Sequence, residues 1–193
     1  MKKIVIIGSP GTGKTTLAKD LGSLLKIKVF HLDRLFWQSG WKRKTRDTRI
    51  DILQNLVQER QWIIEGTYLN SSETRFEAAD TIIFLDIPAL VCLRRIIKRH
   101  HECHGRSRRD IPEGCTDKLT LGRMLMVLAF PLKGLQTLEE NLRKFPSEKV
   151  IRLHSSKEVK DFLAKQEQVM SEKRSSSSTV PVVKERHLLA TGR

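Results

Sequence analysis

Ile4-Val5-Ile6-Ile7-Gly8-Ser9-Pro10-Gly11-Thr12-Gly13-Lys14-Thr15 decides how the rest of the chain is read. The four aliphatic residues predict a buried strand, and leucines at 17, 21, 24 and 25 predict an amphipathic helix from Gly13 to about Lys26. Between them, Gly8 to Thr15 has the spacing G-x-x-x-x-G-K-[ST]. Its glycines let consecutive backbone N–H groups curl around an anion, at a helix start that adds positive potential. A polyphosphate meets these conditions together. Gly8, Pro10, Gly11, Thr12, Gly13, Lys14, Thr15 and Thr16 are therefore the candidate nucleotide-binding residues. Lys14 can reach the β- and γ-phosphates as a mobile point charge, and the Thr15 hydroxyl is placed to ligate Mg²⁺, so ATP with Mg²⁺ is the expected pair.

The chain has 193 residues, 39% of them hydrophobic, enough for one substantial core. The expected division is a domain over residues 1–170 and a disordered tail over 171–193, where the run Ser175 to Ser178 leads into a weakly periodic segment. No apolar run approaches the roughly 18 residues that span a bilayer, and the aliphatics after Met1-Lys2-Lys3 are too few for a secretory leader. Cys92, Cys103 and Cys115 form no regular framework, which fits reduced thiols and a cytoplasmic location. The formal charge of +14, from 36 basic and 22 acidic residues, implies anionic partners. Nucleotides and nucleic acids both qualify, and the charge does not choose between them.

Further along, Ile27 to Leu32 predicts a second strand, which puts Asp33 at a strand's carboxyl end, the rim where open α/β sheets bind ligands. Asp33 is the first candidate catalytic carboxylate, against the plainer reading of a turn or helix-cap aspartate. The stretch from Arg34 to Lys44, holding Phe36, Trp37 and Trp41, admits two readings: a surface that stacks a base, or a lid helix whose tryptophans pack inward. Asp47 or Thr48 can cap the next helix, with Ile50, Leu53, Leu56 and Val57 on its apolar face. Trp62-Ile63-Ile64 predicts a third strand ending at Glu65-Gly66, and Glu65 there can hold the water shell of Mg²⁺ or orient substrate.

Thr81 to Leu85 is nearly continuous in apolar residues, as a strand covered on both faces must be, and Asp86-Ile87-Pro88 ends it. The helix from Ala89 sets Leu90, Leu93, Ile96 and Ile97 against a basic face of Arg94, Arg95, Lys98 and Arg99. A polar segment follows, and residues about 99–115 resemble a mobile lid. Arg99, Arg106, Arg108 and Arg109 are its candidates for neutralising charge on a transferring phosphoryl group, with Arg99 and Arg106 foremost. The histidines and cysteines nearby lack a C-x₂-C pair for zinc. Two helices broken near Pro131 to Gly134, a fifth strand at Lys149 to Leu153, and a helix capped by Ser155 or Ser156 complete the pattern.

Five strands alternating with helices, with a phosphate loop after the first, describe a doubly wound, five-stranded parallel sheet in a three-layer α/β/α sandwich. The P-loop together with Phe30-His31-Leu32-Asp33, Phe36-Trp37, Gly40-Trp41, Trp62 to Tyr68, Ile83 to Pro88 and the arginine-rich segment resembles the bacterial topology-modulation (FlaR-related) proteins, a branch of the adenylate-kinase-like P-loop group. The resemblance covers about Met1 to Lys165. It implies a nucleoside- or nucleotide-kinase-like core using ATP and Mg²⁺, with Lys14, Thr15, Asp33 and Glu65 carried over by position. Adenylate kinases follow the third strand with Asp-Gly-x-Pro-Arg, whereas this chain has Glu65-Gly66-Thr67-Tyr68. The expectation is thus a phosphotransferase with a small-molecule acceptor, and the alternative is a DNA-associated protein that alters topology by binding.

Overall fold

A computed structural model describes residues 1–69, 72–102, 115 and 119–177. Its central sheet is parallel throughout, in the order β2-β5-β1-β6-β7. These strands are β1 (Lys3–Gly8), β2 (Val29–His31), β5 (Trp62–Glu65), β6 (Thr81–Leu85) and β7 (Val150–Leu153). The expected doubly wound, five-stranded sheet is the observed fold. β1 lies at its centre, and Ile4, Val5, Ile6 and Ile7 are all fully buried. Their side chains alternate between two cores. Ile4 and Ile6 join Leu17, Leu21, Ile63 and Ile83 on one face, while Val5 and Ile7 join Leu53, Trp62, Phe76 and Phe84 on the other. An apolar strand covered on both sides gains about 1.5–3 kcal/mol per large side chain, which is why this run shows no polar alternation.

Helices fill both layers: α1 (Lys14–Leu25), α2 (Leu32–Phe36), α3 (Arg46–Gln58), α4 (Ser72–Ala78), α5 (Ala89–Glu102), α6 (Leu121–Ala129), α7 (Leu135–Leu142) and α8 (Ser156–Ser177). Between α2 and α3 the segment around Trp37 forms neither a lid helix nor an open stacking face. It folds into a small antiparallel hairpin, β3 (Trp37–Gln38) with β4 (Lys42–Arg43), turned by Gly40 at φ 72°. The cap of α3 is Thr45, whose Oγ1 accepts from Thr48 N at 3.3 Å, rather than Asp47 or Thr48. On α5 the buried positions are Cys92 and Ile96, and Leu90 is exposed.

Pro131 does not break the helix that contains it. Leu135 N donates to Phe130 O, five residues back, so Phe130–Gly134 makes a π-turn that carries α6 into α7. A proline removes one N–H from the helical ladder, and a widened turn accommodates the loss. Helix α8 runs to Ser177, past the expected start of the tail at residue 171. Ser171 Oγ and Ser175 Oγ donate to the carbonyls of Gln168 and Glu172, giving serines a place within the helix. Residues 178–193, and most of the lid segment with Arg106, Arg108 and Arg109, lie outside the described residues. Among the described residues, no helix is long and apolar enough to cross a membrane.

Gly22 lets α1 press onto the sheet edge, since a Cβ there would meet Val29 Cγ2 at 2.5 Å and Ile27 O at 3.0 Å. Gly22→Val is expected to lower stability by about 1–3 kcal/mol through overpacking. Urea unfolding measures it as a lower midpoint at unchanged slope, and a wild-type midpoint would contradict the close packing of α1 on β2.

Candidate active site

The phosphate loop follows from the sheet beneath it. Gly8 ends β1 at φ 146°, where a Cβ would meet Leu85 O of the neighbouring strand at 2.5 Å. Gly11, at φ 86°, lies against Cys92 O, which a Cβ would approach to 2.6 Å. Gly13 takes a left-handed conformation at the N-cap of α1, where no side chain caps the helix and its first turn carries no acid. The first N–H groups of α1 thus face no capping oxygen from the protein, which suits an anion. Thr12 turns inward, with Oγ1 donating to Ser9 O at 2.9 Å, so its share in such a cradle is its backbone. Pro10 is half-buried and Thr16 exposed at the start of the helix.

Lys14 Nζ donates to Gly8 O and Ser9 O, both at 2.9 Å. Burial pulls its pKa down, the charges of Glu65 and Asp33 pull it up, and Arg99 pushes it down again. The loop lysine, both candidate carboxylates and Arg99 therefore act within one electrostatic neighbourhood. Glu65 ends β5 in register with Ile6 of β1 and His31 of β2, which aims it at this rim. Its Oε1 accepts from Thr15 Oγ1 at 3.2 Å and lies 2.9 Å from His31 Nδ1. Neither the motif nor hydrophobic period singled out His31. Its role comes from pairing across strands 34 residues apart.

Asp33 does not end a strand. It occupies the first turn of α2, where its charge also suits the helix dipole. Its Oδ1 accepts from Tyr68 Oη at 2.5 Å, and Tyr68 Oη in turn accepts from Trp37 Nε1 at 2.7 Å. Burial first, then the adjoining Asp33 charge and the bond to it, hold the Tyr68 hydroxyl well above its usual pKa, so it remains a donor. Trp37 also lies under the Arg43 guanidinium, 5.9 Å from the ring centroid.

The three residues after β5 link the two halves of the rim. Gly66 N donates to Ile6 O at 3.1 Å, and Thr67 Oγ1 pairs with Gly8, accepting from its N and donating to its O. Tyr68 holds Asp33. Beneath them lies Arg75 of α4, fully buried, whose guanidinium donates to the carbonyls of Gly66, Thr67 and Tyr68. Burial lowers its pKa to about 9, against the attraction of the Glu65 charge, so it keeps its own charge at neutral pH. A basic residue in a seven-residue helix gave no sequence signal of this role.

One further residue lies differently from its expected place. Arg95, set on a solvent face by helical spacing, turns back to donate to Gly11 O (3.3 Å) and Thr12 O (3.0 Å), and to Ser156 Oγ. It ties the phosphate loop to the start of α8, where Ser155 is the capping residue and pairs with Glu158. Asp86, at the carboxyl end of β6, faces the β7 end of the sheet, with Oδ2 3.8 Å from Arg152 Nη1 and 3.4 Å from His154 Nδ1.

Thr15 and Glu65 present hydroxyl and carboxylate oxygens 3.2 Å apart beside the loop lysine, a hard-oxygen set that fits Mg²⁺. The cradle at Gly8 and Gly11, which a Cβ would fill, fits a polyphosphate. A parallel five-stranded sheet with this loop at its centre defines a P-loop, nucleotide-kinase-like domain. The chain belongs to the AAA domain family, whose model matches residues 4–113. No curated protein matches the sequence. Among solved structures, shikimate kinase from Acinetobacter baumannii in complex with shikimate is similar with a TM-score of 0.55 and 14% identity, over 90% of this chain and 95% of that one. A gluconokinase from Sinorhizobium meliloti 1021 is similar at 14% identity over 93% and 98% of the two chains, with a TM-score of 0.49. At such identities the likeness to the shikimate kinase establishes a shared fold.

Arg75→Leu removes charge-assisted bonds to three carbonyls, and hydrogen bonds to a charged group contribute about 1.5–3 kcal/mol each. The expected loss of stability is at least about 3 kcal/mol, read by urea unfolding. Arg75→Lys, which lacks the planar fork, should recover less than half of it. Full stability in Arg75→Leu would contradict a structural load on this cation.

Proposed function

We propose that this protein is a Mg²⁺-ATP-dependent phosphotransferase acting on a small-molecule acceptor of the nucleoside or nucleotide class. The observation that supports it most is the gathering of Lys14, Thr15, Glu65 and Asp33 on one sheet rim, with Tyr68 and Thr67 joining acceptor and donor sides. In this reading the loop amides and Lys14 hold the β- and γ-phosphates. Thr15 would hold Mg²⁺ and Glu65 its water shell, where the ion supplies charge neutralisation at the phosphates. Asp33, kept in place by Tyr68, orients the acceptor hydroxyl and takes its proton. The acceptor oxygen then bonds to the γ-phosphorus as the bond to the β-bridging oxygen breaks, releasing ADP. Arg99 counters the charge spread over the transferring group, and Arg106 remains a proposed partner in that task. Catalysis rests on positioning and electrostatics, as phosphoryl transfer requires.

The second reading, a DNA-associated protein of the topology-modulation type, is favoured by the charge of +14. Trp37 weighs against it, because its N–H goes to Tyr68 and Arg43 covers the ring, leaving it engaged within the chain.

An acceptor panel of nucleosides, nucleotides, small alcohols and a 5′-hydroxyl oligonucleotide, with Mg²⁺-ATP, separates the two. The expected result is acceptor-dependent ADP release with one of the small molecules. Lys14→Ala should lower kcat/KM by about 10²–10³-fold, and Asp33→Asn should lower kcat by about 10²–10⁴-fold with little change in the KM for ATP. Absence of turnover with every small acceptor, alongside DNA binding that weakens steeply with salt, would overturn the phosphotransferase reading in favour of the second.

A further inference from the structure

Helix α6 is apolar on both of its faces. Inward, Val127 is buried in the core that holds Ile83 and Cys92. Outward, Leu121, Leu125, Leu128 and, in the π-turn that extends the helix, Leu132 are between 41% and 76% exposed. At about 100° per residue these four leucines fall within about 60° of one another and form a single stripe. Met126, also exposed, and Gly122, where a Cβ would meet nothing within 4 Å, lie alongside it.

Thirty per cent of the chain is charged, yet between 121 and 132 the one charged residue is Arg123, half-buried on the opposite side of the helix. A helix that is apolar all round belongs in an interior, and among the described residues none covers this face. The exposed parts of the four leucines and Met126 amount to roughly 500 Å², which is large for an apolar patch on a monomer.

The spacing of the leucines selects the occupant. Steps of four, three and four residues are those of a heptad seam, which receives another helix by knobs-into-holes packing. The steps read the same in both directions, and every member is leucine. Set antiparallel about a two-fold axis between Met126 and Val127, the stripe is its own complement, with Leu121 meeting Leu132 of a second copy and Leu125 meeting Leu128. Two such faces bring together about 1,000 Å², the least that a specific dimer needs. The stripe itself carries no charge, so the +14 on each copy opposes association only at long range, where salt screens it.

We propose that the leucine stripe of α6 is a dimerisation surface, on which two copies of this chain pair α6 against α6, antiparallel, about a two-fold axis. None of its residues belongs to the phosphate loop or to the rim with Asp33 and Glu65. The dimer therefore does not depend on the phosphotransferase reading.

Sedimentation equilibrium of the full chain tests it. The expected result is a monomer–dimer equilibrium with a dissociation constant of about 1–100 µM, as suits a contact at the small end of the specific range. Raising salt from about 0.05 to about 0.5 M should tighten it severalfold by screening the repulsion between copies. Leu125→Glu should weaken dimerisation by about tenfold or more, with an unchanged circular dichroism spectrum because the residue is exposed in the single chain. The double variant Leu125→Glu/Leu128→Lys should recover most of that loss, since opposite charges then meet across the axis. A parallel pairing would instead set like charges together. A monomer at about 500 µM in high salt, an association that salt weakens, wild-type dimerisation in Leu125→Glu, or no recovery in the double variant would each overturn the proposal. So would a chain that stays monomeric and binds anionic lipid vesicles through the stripe, which would give this face to a membrane.

Discussion

A single buried guanidinium fixes the loop on which both halves of the site converge. Arg75 lies in the core with no carboxylate in an ion pair with it among the described residues, and its fork is taken up by the carbonyls of residues 66 to 68. An uncompensated buried charge is costly, and three carbonyl dipoles return part of that cost only if they stay aimed at it. The geometry of the loop is therefore set by the need to solvate Arg75. Thr67 can then hold Gly8 from both its N–H and its carbonyl, and Tyr68 can reach Asp33. The cation comes from the next helix, α4, and acts from below.

The same economy governs the phosphate loop. Its glycines are required by close approaches, Gly8 to Leu85 O and Gly11 to Cys92 O, as much as by their positive φ. Arg95 then binds two loop carbonyls from α5, so the backbone N–H groups can face outward while the carbonyl side is held from within. Lys14 is half-buried under opposing influences, burial lowering its pKa and two carboxylates raising it. A cation held in that balance is desolvated beforehand, which strengthens its attraction for a phosphate relative to a lysine in open water.

The sheet was legible in the sequence because burial on both faces leaves a local mark. Ile4 to Ile7, Trp62 to Ile64 and Thr81 to Leu85 are short apolar runs bounded by turn residues, and a strand needs little more to be found. The phosphate-loop motif was legible for a similar reason, since its residues are consecutive. The side-chain contacts around it were not. His31 meets Glu65, Tyr68 meets Asp33 and Arg95 meets Gly11 across separations of 34, 35 and 84 residues, with no spacing rule to announce them. Helical periodicity placed Arg95 on a basic face correctly as an angle, but an arginine side chain is long enough to turn from that face to a neighbour. Pro131 misled in another way. Its missing N–H predicts an interruption, yet one extra residue in the turn preserves the helical path.

Four of the 36 basic residues are taken up by contacts within the fold. Arg75 solvates itself on backbone, Arg95 on the phosphate loop, and Arg152 on Asp86 and Glu139, while Lys14 serves the loop that contains it. These four cations organise the interior and its rim. Where they face inward they hold carbonyls and carboxylates in fixed directions. Around the loop from Gly8 to Thr15 that order is supplied by Lys14 from within and Arg95 from α5, which hold its carbonyls and leave its N–H groups to face outward.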